Sequence, residues 1–199
     1  MSQAISLGGA GAEHGGGMRR PSLLGVGTVV WLASELMFFS GLFAAYFTIR
    51  AHDGTPWPPT ADKLDVVQSG IFTLILLASS LTCQKALLDA ERGRRTSARV
   101  WLVLTILMGT AFVINQAVEW LSVPFSTSTN AFGSMFFVMT GLHGLHVILG
   151  LVALTAVLGR MAGTAGDPGE LNVFQAVSYY WHFVDVVWIG LYASLFLLH

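Results

Sequence analysis

The sequence predicts an all-α integral membrane bundle of five transmembrane helices. Three observations predict it. Of the 199 residues, 54% are hydrophobic and only 11% are charged, against about 25% charged in water-soluble domains, and the mean hydropathy is +0.66. Five apolar runs, Leu23–Ile49, Val66–Leu88, Val100–Leu121, Ala131–Leu158 and Val173–Leu198, each reach the roughly 20 residues that cross a hydrocarbon core. The runs are continuous, not the alternating segments of about ten residues that a barrel requires. With no water to bond the backbone in lipid, runs of this length close their hydrogen bonds as helices.

The elements follow in order. Residues 1–21 are Gly-rich and polar, SLGGAGAEHGGGMRR at their centre. They are expected to form a flexible cytoplasmic tail, because they bury too little apolar surface to fold. Their charges fall at the end with no short apolar core and cleavage site after them, which is not the order of a signal peptide. Residues 22–199 are expected to be one transmembrane domain. Between the first two runs lies AHDGTPWPPTADKLD, Pro-rich and turn-like. Trp57 in it, and Trp120 near the end of the third run, suit an interface where indoles anchor. Gly141 and Gly144 flank His143 and are expected to let a neighbouring helix approach closely.

Charge sets the expected orientation. Arg19, Arg20, Lys85, Arg92, Arg94, Arg95, Arg99 and Arg160 fall on one side, and only Arg50 and Lys63 on the other. The positive-inside rule puts the N-terminus in the cytoplasm and the C-terminus outside. Within the basic loop, Arg92, Arg94, Arg95 and Arg99 are candidate contacts for lipid headgroups, though a plain topology signal explains them as well. A net charge of −1 gives no footprint for nucleic acid. The one cysteine, Cys83, makes no intrachain disulfide.

Ionisable residues inside the runs carry the functional question, since they are costly in lipid. Glu35 and Asp185 are each twelve residues into their runs, about 18 Å deep. His182 precedes Asp185 by three positions, and His143 and His146 make a second such pair, so each pair shares a helix face. Glu119 sits near the end of the third run beside Asn115 and Gln116. Glu35 is expected to be a neutral acid bonded to His143, His146 or His182, because an unpaired carboxylate at that depth is strongly disfavoured. A structural role, bonding helix to helix, competes with a proton-handling one. Imidazoles suit iron, copper and zinc, yet one His pair per helix is no complete ligand set, and no Gly-rich phosphate loop, CxxC or CxxCH is present. From residues alone three classes remain: a subunit of a larger complex, a small proton-coupled transporter, or a membrane redox protein with its own haem or metal.

Four segments resemble one family. FGSMFFVMTGLHGLHVILG (Phe132–Gly150), SYYWHFVDVVWIGLYASLF (Ser178–Phe196), WLASELMFFSGLFAAYF (Trp31–Phe47) and NQAVEW (Asn115–Trp120) are similar, in order, to cytochrome c oxidase subunit III. The resemblance runs from about Trp31 to the C-terminus. It implies a respiratory oxidase that reduces oxygen to water and pumps protons, with haems and a copper on subunit I and the copper centre that receives electrons on subunit II. Subunit III would carry no redox cofactor and no catalytic residue. It would pack on subunit I, bind phospholipid, and support proton uptake, oxygen access and stability during turnover. Longer members have two additional leading helices and a lipid-filled cleft behind them. Here another small subunit, or lipid, is expected on that side. Gln84 and Lys85 stand where the family often has paired histidines, so a role for those histidines does not carry over. A bacterial plasma membrane is favoured over a mitochondrial inner membrane.

Overall fold

The computed structural model describes residues 23–54, 57, 65–163 and 169–198. The expected N-terminal tail, with Arg19 and Arg20, and also Lys63 lie outside the described residues. Five helices follow one another: α1 Leu23–Asp53, α2 Val66–Glu91, α3 Arg95–Ser122, α4 Ala131–Ala162 and α5 Glu170–Tyr192, the last continuing as a π turn over Ala193–Leu197. No strand occurs among the described residues. All five are long and apolar enough to cross a membrane.

The helices exceed the apolar runs by up to about five residues at their longer ends, and polar side chains cap two of the helix starts. Asp65 accepts from Gln68 N at 2.9 Å and caps α2. Asn130 accepts from Gly133 N at 2.6 Å and caps α4. Each satisfies a backbone donor that the helix leaves open. Between α2 and α3 the chain reverses at Gly93, whose φ of +73° is a left-handed conformation that favours glycine.

Nothing in these helices resembles the single apolar stripe of a soluble bundle. Large side chains such as Val30, Met37, Leu74, Leu81 and Val152 are exposed, while polar Ser79, Thr105, Thr140 and Ser178 are fully buried. The apolar surface faces outward, as a lipid solvent demands, and the small polar groups bond helix to helix. Helix α5 is central: it packs on α1, α2 and α4, and its Trp181 and Trp188 are completely buried.

Trp181 fixes where the helices come closest. A Cβ at Gly109 of α3 would lie 2.7 Å from its ring, and one at Gly150 of α4 would lie 2.8 Å from it. Its Nε1–H donates to Ser79 Oγ of α2 at 3.0 Å. One indole thus joins four helices, and the two glycines make room for it. The expectation for Gly144 is corrected here. A Cβ at Gly141 would sit 3.4 Å from Trp120, but at Gly144 nothing lies within 4 Å. Trp57 is buried against Tyr46 and Phe132, with ring centroids 5.7 and 5.5 Å away.

Candidate functional site

The six ionisable residues singled out inside the spans lie in four places. The first is at mid-span between α1 and α4. Glu35 Oε2 stands 3.2 Å from His146 Nε2, and neither side chain is more than a quarter exposed. His146 Nδ1 is 2.7 Å from the Leu142 carbonyl. A carbonyl only accepts, so Nδ1 carries a hydrogen. The contact across the helices is then closed by one proton between Oε2 and Nε2. The pair is either a neutral acid donating to imidazole or a carboxylate accepting from imidazolium, and in both forms its net charge is zero. Phe39 meets the imidazole edge-on at 5.1 Å. Tyr180 donates to the His146 carbonyl at 3.0 Å and stacks on Trp31 at 5.1 Å.

The second place joins α2 to α5. Ser80 Oγ is hydrogen-bonded to Asp185 Oδ2 and lies 2.9 Å from His182 Nδ1. Ser80 Oγ bridges the carboxyl and the ring, so the three groups form one chain. His182 Nε2 is 3.2 Å from Gln84 Oε1 and 3.3 Å from Ser178 Oγ. Asp185 Oδ1 has no hydrogen-bond partner. Gln84 therefore takes a place in this network.

Third, near the α3–α4 connection, Ser69 of α2 donates to Glu119 Oε1 at 2.8 Å, and Gln68 donates to Asn115 Oδ1 at 2.7 Å. These bonds tie α2 to α3. Fourth, His143 is 1% exposed and stands apart from the other histidines, stacked on Trp188 at 4.9 Å and edge-on to Phe112 at 6.2 Å. Neither of its ring nitrogens has a hydrogen-bond partner.

At the opposite end, Arg94, Arg95 and Arg99 of the basic loop bond within the chain, and Arg92 is exposed. Asp89, 1% exposed, accepts from Lys85, Arg94 and Ser97. Arg95 Nη2 reaches both carboxyl oxygens of Glu170, at 3.1 and 3.0 Å, and the Met161 carbonyl, which Arg99 also contacts. Arg94, Arg95 and Arg99 thus staple α2, α3, α4 and α5 together. Asp89 and Ser80 were not singled out from the sequence. The signal for Ser80 was present in the Ser79–Ser80 pair inside an apolar run; Asp89 read as an ordinary helix-end charge.

Among the described residues no three or more His, Cys, Asp or Glu side chains gather as a metal site. The arrangement bonds the helices to one another.

The family model described as cytochrome c oxidase subunit III matches residues 13–199. The chain belongs to the cytochrome c oxidase subunit III family. It is 47% identical over 182 residues to the probable cytochrome c oxidase subunit 3 of Mycobacterium tuberculosis, covering 90% of both chains. It is 35% identical over 184 residues to cytochrome c oxidase subunit 3 of Thermostichus vulcanus, covering 89% of both. It is 40% identical over 176 residues to that of Gallus gallus, covering 85% of this chain and 67% of the relative. As a subunit III, it is a multi-pass membrane protein of an oxidoreductase complex that includes other oxidase subunits.

Proposed function

We propose that this subunit III packs on subunit I of a respiratory cytochrome c oxidase, binds lipid, and supports proton uptake, oxygen access and stability during turnover without a redox centre of its own. The observation that carries this reading is the family match across all five helices. The bonding of the buried ionisable groups supports a structural contribution. Glu35, Glu119, His182 and Asp185 each bond a neighbouring helix, as groups that hold a bundle in shape would.

Haem and copper belong, in this reading, to subunits I and II. The side of α1 bearing Val29, Val30 and Met37, exposed apolar residues, receives lipid or another small subunit. The distribution of basic residues supports a cytoplasmic N-terminus, and the actinobacterial relatives support a bacterial plasma membrane.

The test is purification of the complex in a mild detergent. Subunits I and II are expected to accompany this chain, with the haem on subunit I. Removing the chain should leave initial oxygen reduction in place and shorten the time for which turnover persists. A complex lacking this chain that turns over for as long as the complete one would refute the supporting role.

A further inference from the structure

We propose that the groove between α3 and α4, on the side of their connection, is a seat for one phospholipid acyl chain, with Gln116 donating a hydrogen bond to the chain's ester carbonyl. The groove encloses about 330 Å³ and is lined by Phe112, Gln116 and Trp120 of α3 and by Gly141, Gly144 and Ile148 of α4, among others. Trp120 Nε1–H is already used, donating to Thr140 Oγ1 at 3.1 Å. Gln116 is 6% exposed, and its Nε2 has no hydrogen-bond partner. A buried amide donor left unmatched costs about 1–3 kcal/mol, and a turn of the Gln116 side chain, which lines the groove, would bring the donor to an acceptor there and remove that cost.

Depth identifies the acceptor. Helix α3 has 28 residues, about 42 Å, against a hydrocarbon core of about 30 Å. Centred on the core, it extends about 6 Å beyond each boundary. Gln116 is six residues before Ser122, about 9 Å along the axis, hence about 3 Å inside the hydrocarbon. That is where lipid ester carbonyls meet the acyl region. At the far end of the groove, Ile148 lies beside the midpoint of α4. There the helices close together: a Cβ on Gly109 would lie 2.9 Å from Leu151 of α4. The groove is therefore one leaflet deep. A transmembrane helix of a partner would need a path through both leaflets, whereas a single acyl chain ends where this groove ends. Gly144 keeps the middle of the groove open, since nothing lies within 4 Å of a Cβ there.

The inference rests on the lipid-binding part of the proposed function and not on its assembly with subunit I. The test uses the assembled oxidase, reconstituted in phospholipid vesicles containing a phosphatidylglycerol with a diazirine low on one ester-linked acyl chain. Cross-links are mapped by mass spectrometry. They are expected to concentrate on the segments 112–120 and 141–148. Gly144→Phe, which fills the groove, should lower them severalfold. Gln116→Leu should lower them roughly fivefold, the worth of one neutral hydrogen bond, and an ether-linked probe should match that loss on the unsubstituted complex. If Gly144→Phe does not assemble, Gln116→Leu and the ether probe decide. Cross-links spread evenly over exposed positions such as Leu74 and Val152, or unchanged by Gln116→Leu and by the ether probe, would overturn the proposal. So would capture of the two segments by another chain of the complex, which would make the groove a protein contact. Concentrated cross-links elsewhere on the chain would overturn this site and leave lipid binding standing.

Discussion

Glu35 and His146 face each other across α1 and α4 at 3.2 Å, and the hydrogen of His146 Nδ1 is already committed to the Leu142 carbonyl. A hydrogen bond between Oε2 and Nε2 requires one proton there, which would make the pair an electrically neutral unit. Such a unit resides in the membrane without the penalty of an isolated charge.

Glu35→Gln keeps the shape and supplies an amide donor to His146 Nε2. It is expected to leave assembly and oxygen reduction largely intact. Glu35→Ala strands the imidazole nitrogen and should lower the stability of the chain by about 1–3 kcal/mol. Turnover and thermal stability of the two complexes, measured side by side, provide the check. Near-complete loss of activity in a fully assembled Glu35→Gln complex would make this carboxyl a required proton carrier.

The glycines around Trp181 give an ordered series. Gly150→Val and Gly109→Val drive a branched side chain into a fully buried indole and should each destabilise by about 1–3 kcal/mol, the usual cost of overpacking. Gly144→Ala, in open space, should change the melting temperature of the complex far less. Equal effects at all three positions would contradict the packing.

Ser80 links Asp185 to His182. Ser80→Ala removes both bonds at once, leaving Asp185 with neither carboxyl oxygen matched, because Oδ1 has no hydrogen-bond partner already. A loss of about 1–3 kcal/mol is expected. In a double-mutant cycle with Asp185→Asn the two effects should be strongly non-additive; additive losses would mean that the groups do not act on each other.

The isolated, folded chain should carry neither haem nor stoichiometric metal. Elemental analysis and an absorption spectrum check this. Bound iron or copper at one per chain would move it to the redox class.

Asp89 anchors the α2–α3 turn through three side-chain donors. Asp89→Ala should speed hydrogen exchange at residues 92–98 while leaving the middle of α2 and α3 protected. Unchanged exchange in the turn would show that Gly93 and the backbone hold it alone.

Membrane embedding, five helices and their bounds to within about five residues followed from composition and run length, because hydrocarbon thickness and backbone hydrogen bonding act on each segment separately. The mid-helix placement of Glu35 and Asp185 was legible for the same reason, because the run bounds fix where each residue falls along its helix. Which residues meet was not legible. Glu35 had three histidines at comparable depth, and only the rotation of α4 about its axis selects His146 and sends His143 into the aromatic core against Trp188. Gly144 and Gly150 share a helix and a residue type, yet Gly150 receives Trp181 and Gly144 borders an open groove. The basic loop read as a topology signal or a headgroup site, and which carboxyl groups its arginines meet, Asp89 for Arg94 and Glu170 for Arg95, was not legible. In each case the outcome depends on helix rotation and neighbour identity. Those are properties of pairs of helices, and packing between them decides what a single run of sequence leaves open.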